Sequence, residues 1–389
     1  MSAQIQHPTQ EFICQECQKT YKYKSGLDKH NATKHQVTNL NHPSTATASP
    51  STTITNPTTS TQSATAIIGQ QQPQQQLSPF LKWVGGKTQI INELFTRFPR
   101  KINNYYEPFL GGGSVLLALL NAKAAGKIRV DGNIYASDLN PALLACYRNI
   151  KHEPERVILE ASQLITAYKT CPVMNATPKN TSPQNLAEAG QAQENYYYWI
   201  RKSYNAMTSA EKQTPRGSAM FIFLNKTCFR GLYREGPHGF NVPFGNYSNP
   251  NILEPSQIRQ ISAAIQHVEF TVCGFETVLS HANFASGDFV YLDPPYAPET
   301  ATSFVGYTAG GFTPENHGEL FKLCRELSNP GNARTNGTVK MMMSNADVPM
   351  VNDAFLARNG FTTTTVPCKR HINSKNPGAT TNEVIIQNY

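Results

Sequence analysis

The sequence Asp293-Pro294-Pro295-Tyr296 follows the apolar run Val290–Leu292 and contains residue types suited to chemistry on an amine. The Asp293 carboxylate and the Pro294 carbonyl can accept hydrogen bonds from both N–H groups of an exocyclic amine on a planar base, which frees the nitrogen lone pair. The prolines stiffen the turn, and Tyr296 offers a ring for stacking. Such a site reaches a base of a duplex only after that base has left the stack. A strand that ends in a Pro-Pro turn with a capping aspartate is the alternative for this tetrapeptide alone.

Two glycine-rich segments upstream have the composition of a nucleotide-cofactor site. Phe80–Lys87 contains an aromatic residue, a glycine pair and a lysine, and Glu107–Ser114 contains three successive glycines. Such glycines let the backbone approach a ligand at a helix N-terminus. Asp138 follows about 25 residues later, where an acidic side chain commonly binds ribose hydroxyls. The sulfonium methyl of S-adenosylmethionine is the electrophile that such a site would present to the amine; an ordinary tight turn is the alternative for the glycines alone.

The N-terminal region has the spacing of a small metal site, with two residues between Cys14 and Cys17 and four between His30 and His35. Two thiolates and two imidazoles form the closed tetrahedral set that structural zinc prefers. The apolar positions of a ββα finger are occupied by Phe12, Tyr21 and Leu27. Residues 10–38 therefore resemble a Cys-Cys-His-His zinc finger, which would bind Zn²⁺ and depend on it for folding.

The sequence leaves open what this finger binds. In such fingers helix positions −1, 3 and 6 reach bases, and these correspond to Tyr23, Gly26 and Lys29. Gly26 has no side chain with which to read a base, and no second finger follows in the sequence. Two possibilities remain, a protein contact or weak contact with the DNA backbone through the lysines of the segment, which are Lys19, Lys22, Lys24, Lys29 and Lys34.

The elements that must position these residues are predicted from composition and periodicity. No Lys, Arg, Asp or Glu occurs between Lys34 and Lys82, and the polar residues 39–78 are predicted to be a disordered linker. Alternating strands and helices after position 78 predict an α/β fold with a largely parallel sheet. The predicted strands are Tyr105–Pro108, Ile134–Ser137, Phe289–Leu292, Val339–Met343 and Glu383–Gln387. The predicted helices are Val115–Asn121 and Tyr196–Met207. The polar stretch Thr170–Gln193 is predicted to be a surface insertion.

The sequence disfavours a membrane-spanning or secreted protein. The chain has 389 residues, of which 39% are hydrophobic, and 34 Lys and Arg against 26 Asp and Glu give a net charge of +8. The longest strongly apolar run, Val115–Leu120, is shorter than the roughly 20 residues that cross a bilayer, and the N-terminus lacks the apolar stretch of a secretory signal. We expect an intracellular monomer with reduced cysteines, whose charge favours nucleic acid over membranes.

Residues 79–389 resemble the Dam-type DNA adenine-N6 methyltransferases, in which the cofactor motifs precede the recognition region and DPPY follows it. Two further segments match: Leu224–Arg234 is similar to the DNA-reading hairpin segment of the family, and Phe240–Gly245 to its FNVPFG element. The resemblance implies methyl transfer from S-adenosylmethionine to N6 of adenine in double-stranded DNA by base flipping. It also implies a Rossmann-like methyltransferase sheet, formed by residues 79–150 and 266–389, with an inserted, mainly helical target-recognition domain at 151–265.

The likeness assigns roles to the positions that match the family motifs. The implied cofactor-binding residues are Trp83, Lys87, Glu107, Phe109, Gly111, Gly113, Asp138 and Asp293, and the implied catalytic turn is Asp293, Pro294, Pro295 and Tyr296. Phe229 would insert beside the vacated base position, and Arg234 would read a guanine with its guanidinium fork. Lys82, Arg230 and Leu232 complete the implied DNA-binding set. The alternatives are a core position for Phe229 and a phosphate contact for Arg234.

One position departs from the family pattern, because Arg230 stands where many relatives carry asparagine facing DNA. The retained Leu232 and Arg234 favour a GATC-like word. N4-cytosine enzymes usually carry serine in place of Asp293, and glutamine-modifying protein methyltransferases usually carry asparagine, which disfavours both. A catalytically silent DNA-binding or chromatin module, and methylation of adenine in RNA, are the alternatives. A finger joined to a bacterial-type methyltransferase suggests a eukaryotic or viral origin, with the protein in the nucleus or cytoplasm.

Overall fold

The computed structural model describes residues 12–13, 20–21, 76–173, 179–281, 283–298, 311–329, 335–336, 339–369 and 380–389. The chain divides into two compact units, residues 1–70 and 71–389. In the first unit, strands Phe12–Ile13 and Thr20–Tyr21 pair antiparallel. The predicted zinc ligands Cys14, Cys17, His30 and His35, the lysines of that segment and residues 39–75 of the predicted linker lie outside the described residues.

The second unit is built on a seven-stranded sheet. Its strands are β1 (Tyr105–Glu107), β2 (Ile134–Asp138), β3 (Val268–Val272), β4 (Phe289–Leu292), β5 (Lys340–Ala346), β6 (Thr362–Lys369) and β7 (Thr380–Gln387). Their spatial order is β6-β7-β5-β4-β1-β2-β3. Strands β1 to β5 run parallel, and β7 runs antiparallel between β5 and β6. The predicted α/β fold with a mostly parallel sheet is confirmed.

The central strands are apolar because helices cover both faces of the sheet, as is usual for parallel strands. In β4, Phe289 and Tyr291 enter one apolar layer, whereas Val290 and Leu292 enter the layer on the opposite face. All four side chains are fully buried, and Phe289, Val290 and Leu292 each contribute about 1.5–3 kcal/mol by leaving water. The alternation fixes the register of β4 and therefore the position of the residue that follows it.

Helices occupy both faces. They are α1 (Ile91–Arg97), α2 (Ser114–Ala124), α3 (Pro141–His152), α4 (Pro154–Thr170), α5 (Leu186–Ala189), α6 (Gln193–Ala206), α7 (Ser209–Lys212), α8 (Pro215–Thr227), α9 (Pro255–Ala264), α10 (Phe275–His281), α11 (Pro314–Leu327) and α12 (Pro349–Ala354). Helices α10 to α12 cover one face, and α1 to α6, α8 and α9 contribute to the other layer. Among the described residues, no helix is both long and apolar enough to cross a membrane.

Among the described residues of the second unit, three short strand pairs lie outside the main sheet. They join Lys101–Ile102 to Arg129–Val130, Glu235–Gly236 to Gly239–Phe240, and Phe284–Ala285 to Thr335–Asn336. The pair at 235–240 is antiparallel and forms a small hairpin directly after the segment Leu224–Arg234.

The helical region between β2 and β3 continues the apolar layer of the sheet. In its centre the rings of Tyr168 and Phe223 meet edge to face, with centroids 5.4 Å apart. The predicted surface insertion Thr170–Gln193 differs from expectation in its second half, because Ala189 and Ala192 are fully buried. Small apolar side chains there complete the layer although the surrounding sequence is polar.

The globular unit begins before Pro79. Leu77 exchanges two hydrogen bonds of 2.9 Å with the side-chain amide of Asn121, and the Gln257 side chain donates to the Ser78 carbonyl over 2.9 Å. The last residues of the predicted linker are therefore anchored to the second unit.

Candidate active site

Three acidic side chains that were predicted to act together stand at the ends of three adjacent strands. Glu107 ends β1, Asp138 ends β2, and Asp293 is the first residue after β4. Because β4, β1 and β2 are parallel neighbours, their carboxyl ends meet at one edge of the sheet, where open α/β sheets bind ligands. The structure thus brings the predicted catalytic turn next to two predicted cofactor-binding carboxylates.

Asp293 forms an ion pair with a buried lysine. Lys87 Nζ lies 2.7 Å from Asp293 Oδ1, and Lys87 is only 3% exposed. The same ammonium donates to the Gly85 carbonyl over 2.5 Å and lies 4.9 Å from the centroid of the Tyr296 ring. Burial raises the pKa of Asp293 to about 6, whereas the Lys87 charge acts in the opposite direction. The carboxylate is therefore charged at neutral pH.

Side chains from two other strands fix the turn that follows Asp293. The Tyr296 hydroxyl donates to Glu383 Oε2 on β7 over 2.7 Å, and the Ala297 N–H donates to Asn345 Oδ1 on β5 over 3.0 Å. Asn345 is fully buried, and its Nδ2 finds no hydrogen-bond partner among the described residues. Neither Glu383 nor Asn345 was predicted from the sequence; the signal available was a polar Asn345 two residues after a buried apolar run.

The predicted glycine loop closes around Asp138. The Gly111 N–H donates to Asp138 Oδ2, and the Asn140 N–H donates to Oδ1, both over 2.9 Å. Burial raises the pKa of Asp138, and these N–H groups oppose the rise. Gly113, with φ of 68°, adopts a left-handed conformation that favours glycine. A Cβ on Gly113 would also lie 2.1 Å from Tyr147 Oη, so both backbone and space require glycine here.

Trp83 lies against the same loop. A Cβ on Gly112 would come within 2.8 Å of Trp83 Cβ, and one on Gly111 within 3.0 Å of Trp83 Cδ1. The indole also stacks on Tyr233, with ring centroids 5.8 Å apart. Trp83 therefore contacts both the predicted cofactor loop and the segment Leu224–Arg234.

Glu107 and Phe109 extend the site along the sheet edge. Burial raises the pKa of Glu107 to about 8, although the Tyr105 hydroxyl, which donates to it over 2.8 Å, partly opposes this rise. The Phe109 ring stacks on Phe275 with centroids 5.5 Å apart. Phe275, which begins α10 shortly after β3, was not predicted; an aromatic residue soon after the end of a parallel strand was its signal.

The predicted DNA-reading residues follow α8 at the surface. Phe229 is 44% exposed, which is contrary to the alternative of a core position, and the Arg230 guanidinium lies 5.1 Å from its ring centroid. Arg230 has φ of 56°, which is uncommon outside glycine. Arg234 is exposed, and its Nε donates to Asn241 Oδ1 over 2.6 Å. Leu232, by contrast, packs against the core.

Lys82 lies at the base of this segment. Its Nζ donates to the Lys226 carbonyl over 3.4 Å and is 3.8 Å from the centroid of the Tyr247 ring. Its backbone N–H donates to Asn225 Oδ1 over 2.8 Å. Burial lowers the pKa of Lys226 to about 8, and the charge of Lys82 adds to the effect. Two lysines thus meet where the predicted reading segment joins the predicted cofactor motif.

Sequence comparisons connect this geometry to characterised relatives. The chain is 34% identical to the type II methyltransferase M.MjaIII of Methanocaldococcus jannaschii over 325 residues, which cover 81% of this chain and 100% of that protein. It is 31% identical to the type II methyltransferase M1.LlaDCHI of Lactococcus lactis over 72% of this chain and 84% of the relative. It is 29% identical to the DNA adenine methylase of Haemophilus influenzae over 77% of this chain and 88% of that protein. These relatives are bacterial and archaeal, so a eukaryotic or viral origin stays a prediction.

The family profile described as D12 class N6 adenine-specific DNA methyltransferase matches residues 83–372. The match extends from the tryptophan that packs on the glycine loop to beyond strand β6, and it includes the edge of the sheet at which Glu107, Asp138 and Asp293 meet. This chain therefore belongs to the D12 class of N6 adenine-specific DNA methyltransferases.

Proposed function

We propose that this enzyme transfers the methyl group of S-adenosylmethionine to N6 of an adenine flipped out of duplex DNA. The observation that carries the proposal is the Asp293–Tyr296 turn at the carboxyl edge of the sheet, next to the glycine loop around Asp138. A carboxylate, a backbone carbonyl and an aromatic ring in one turn match the donors and the face of adenine, and the family description names the same atom.

The residues beside this turn fit the cofactor. Two N–H groups orient the Asp138 carboxylate, which keeps lone pairs for ribose hydroxyls. Gly111, Gly112 and Gly113 form the loop directly before α2, and the Phe109–Phe275 pair offers an aromatic surface. The bound cofactor would supply an electrophilic methyl group. The family assignment supports dependence on this cofactor.

In this proposal the turn prepares the amino group of adenine. Asp293 accepts a hydrogen bond from one N–H and the Pro294 carbonyl accepts one from the other, so the nitrogen lone pair no longer delocalises fully into the ring. Tyr296, held by Glu383, stacks on the base. The Lys87 ammonium holds the Asp293 carboxylate in a fixed position before the base arrives.

Nucleoside analysis tests the proposal. The full chain is incubated with S-adenosylmethionine and duplex DNA, and the digest is examined by mass spectrometry. We expect N6-methyldeoxyadenosine; N4-methylcytosine, or methylation of RNA alone, would contradict the proposal. A catalytically silent DNA-binding or chromatin module would yield no product while still binding the cofactor, and the names of the relatives do not favour it.

The pKa of Asp293 predicts the acid limb of the activity. Burial raises this pKa to about 6, and the ionised form is the better hydrogen-bond acceptor. Single-turnover methylation is therefore expected to fall about tenfold per unit as the pH drops below about 6, and to reach its plateau near pH 7, below the pKa of about 8 at which Glu107 ionises. Lys87→Met removes the charge that lowers this pKa, so the acid limb should move to higher pH. A limb that stays in place in this variant would contradict the assignment to Asp293.

We further propose that the DNA-binding residues are Phe229, Arg230, Leu232, Arg234 and Lys82. The DNA recognition sequence is proposed to resemble GATC. The exposure of Phe229 and of Arg234 and the orientation of Arg234 by Asn241 support this role. The left-handed backbone of Arg230 turns the chain between Phe229 and Arg234.

We also assign residues 79–150 and 266–389 to the catalytic domain and residues 151–265 to the target-recognition domain, in a protein that acts as a monomer.

We also propose that residues 10–38 bind one Zn²⁺ through Cys14, Cys17, His30 and His35. The pairing of Phe12–Ile13 with Thr20–Tyr21 supports this, because the connection between these strands contains both cysteines. Elemental analysis of the full chain should find about one zinc per chain, and Cys14→Ser should lose it. A metal content equal in the two proteins would contradict the proposal. The described residues contain no group of three or more metal-binding side chains.

A further inference from the structure

We propose that Tyr197 and Asn205 of α6 are positioning residues that fix the DNA-reading segment and thereby set how strictly the enzyme discriminates its target word. The inference rests on the proposed function, because it assumes that Phe229–Arg234 reads DNA. Neither residue belongs to a motif that the sequence identified, and neither lies at the Asp293 edge of the sheet.

Three side chains of α6 form a row along one side of the helix. Tyr197, Arg201 and Asn205 are spaced four residues apart, which aligns them on one helix face. The Tyr197 hydroxyl and Arg201 Nη1 both donate to the Val242 carbonyl, over 2.7 and 3.1 Å. Asn205 pairs with Phe240 twice: its Nδ2 donates to the Phe240 carbonyl and its Oδ1 accepts from the Phe240 N–H, both over 2.9 Å. The amide of Asn205 thus acts like the edge of a neighbouring strand.

The segment held by this row in turn holds the reading residues. The Phe229 N–H donates to the Pro243 carbonyl over 2.8 Å. Asn241 accepts from Arg234 Nε over 2.6 Å through its side chain, and its N–H donates to the Arg234 carbonyl over 3.1 Å. Two layers of hydrogen bonds therefore connect α6 to the two side chains that are proposed to touch DNA.

The pairing between the Asn205 side chain and the Phe240 backbone tolerates few substitutions. Gly239 precedes the paired Phe240 with φ of 87°, and a Cβ on Gly239 would lie 2.7 Å from Asn205 Oδ1. An aspartate at 205 would keep the acceptor for the Phe240 N–H, but it would set an anionic oxygen against the Phe240 carbonyl. Since Phe229 and Arg234 are exposed, they lack the packing that would otherwise hold them in position, so this backbone anchor decides their geometry.

The test compares discrimination in matched variants of the full chain. Asn205→Asp, Asn205→Ala and Tyr197→Phe are compared with the wild type, and Ser203→Ala on the same helix is the control. The ratio of kcat/KM between the cognate duplex and duplexes with one changed base is measured, together with the affinity for S-adenosylmethionine. We expect the Asn205 variants to lose about tenfold or more in this ratio, mainly through KM for DNA, with cofactor affinity within about twofold. Tyr197→Phe, which leaves Arg201 on the same carbonyl, should lose less.

The outcomes separate the possible failures. Folded Asn205 variants that keep the wild-type ratio would overturn the inference. If they fail to fold, Tyr197→Phe decides, because it removes only a hydroxyl: an unchanged ratio would overturn the inference, and a reduced ratio would support it. A fall in kcat with an unchanged ratio would also overturn it, since that result assigns α6 a general structural role. Absence of adenine methylation by the wild type would instead contradict the proposed function.

Discussion

Asp293→Asn is expected to lower the rate of methyl transfer by about a thousandfold while the affinity for S-adenosylmethionine changes little. The carboxylate is held by Lys87 at 2.7 Å, and asparagine has one acceptor oxygen, which the same ammonium would occupy. The remaining NH₂ would then face the amino group of adenine, so two donors would meet and the lone pair would stay delocalised. Single-turnover kinetics on a short duplex, with cofactor binding followed by calorimetry, measure both quantities.

Asparagine is preferred to alanine at position 293 because it keeps the shape of the side chain. Removal of the carboxylate by alanine would leave the Lys87 ammonium, which is 3% exposed, buried without its partner, and such a change costs about 3–5 kcal/mol. A thermal melt of both variants distinguishes loss of chemistry from loss of fold. Methylation at the wild-type rate by a folded Asp293→Asn protein would refute the role of Asp293.

Arg234→Ala is expected to lower kcat/KM on the cognate duplex by about 5- to 150-fold and to relax the preference at one base pair, because a bidentate arginine–guanine pair contributes about 1–3 kcal/mol of discrimination. Its guanidinium is already oriented by Asn241, so binding loses little side-chain entropy. Duplexes that carry each of the four base pairs at every position of the word measure the effect.

The control for this variant is Arg259→Ala. Arg259 is exposed and paired with Glu155 on the helical region, and its loss should leave the preference unchanged. If Arg234 contacts phosphate instead, binding will weaken uniformly across sequences and the salt dependence will fall by about one charge. That pattern would reject a base-reading role while leaving the catalytic assignment intact.

Much of the sheet and of its ligand-binding edge could be predicted from local sequence. The strand Phe289–Leu292 is predicted with its observed bounds because its four consecutive apolar residues match burial on both faces. Because Asp293 directly follows this strand, its place at the carboxyl edge of the sheet follows from the strand's bounds. Since β1 and β2 are neighbouring strands, the glycines before α2 lie next to Asp138. The order of the motifs along the sequence predicted that the glycine loop, Asp138 and the Asp293–Tyr296 turn belong to one site.

Contacts between distant segments could not be predicted. Glu383 reaches Tyr296 because β7 runs antiparallel beside β5, and Asn345 reaches the turn from a third strand. Nothing local to Asn205 indicates that its amide pairs with a backbone 35 residues away. The buried alanines in the polar segment Thr170–Gln193 were missed for the same reason, since burial there depends on which helices pack over them.

A structure of the enzyme bound to a duplex and to a non-reactive analogue of S-adenosylmethionine tests the central claim most directly. The account predicts an extruded adenine whose N6 lies about 2.6–3.2 Å from both an Asp293 carboxylate oxygen and the Pro294 carbonyl, with its ring on Tyr296. An Asp293 carboxylate turned away from the cofactor, with no room for a base between them, would contradict the account.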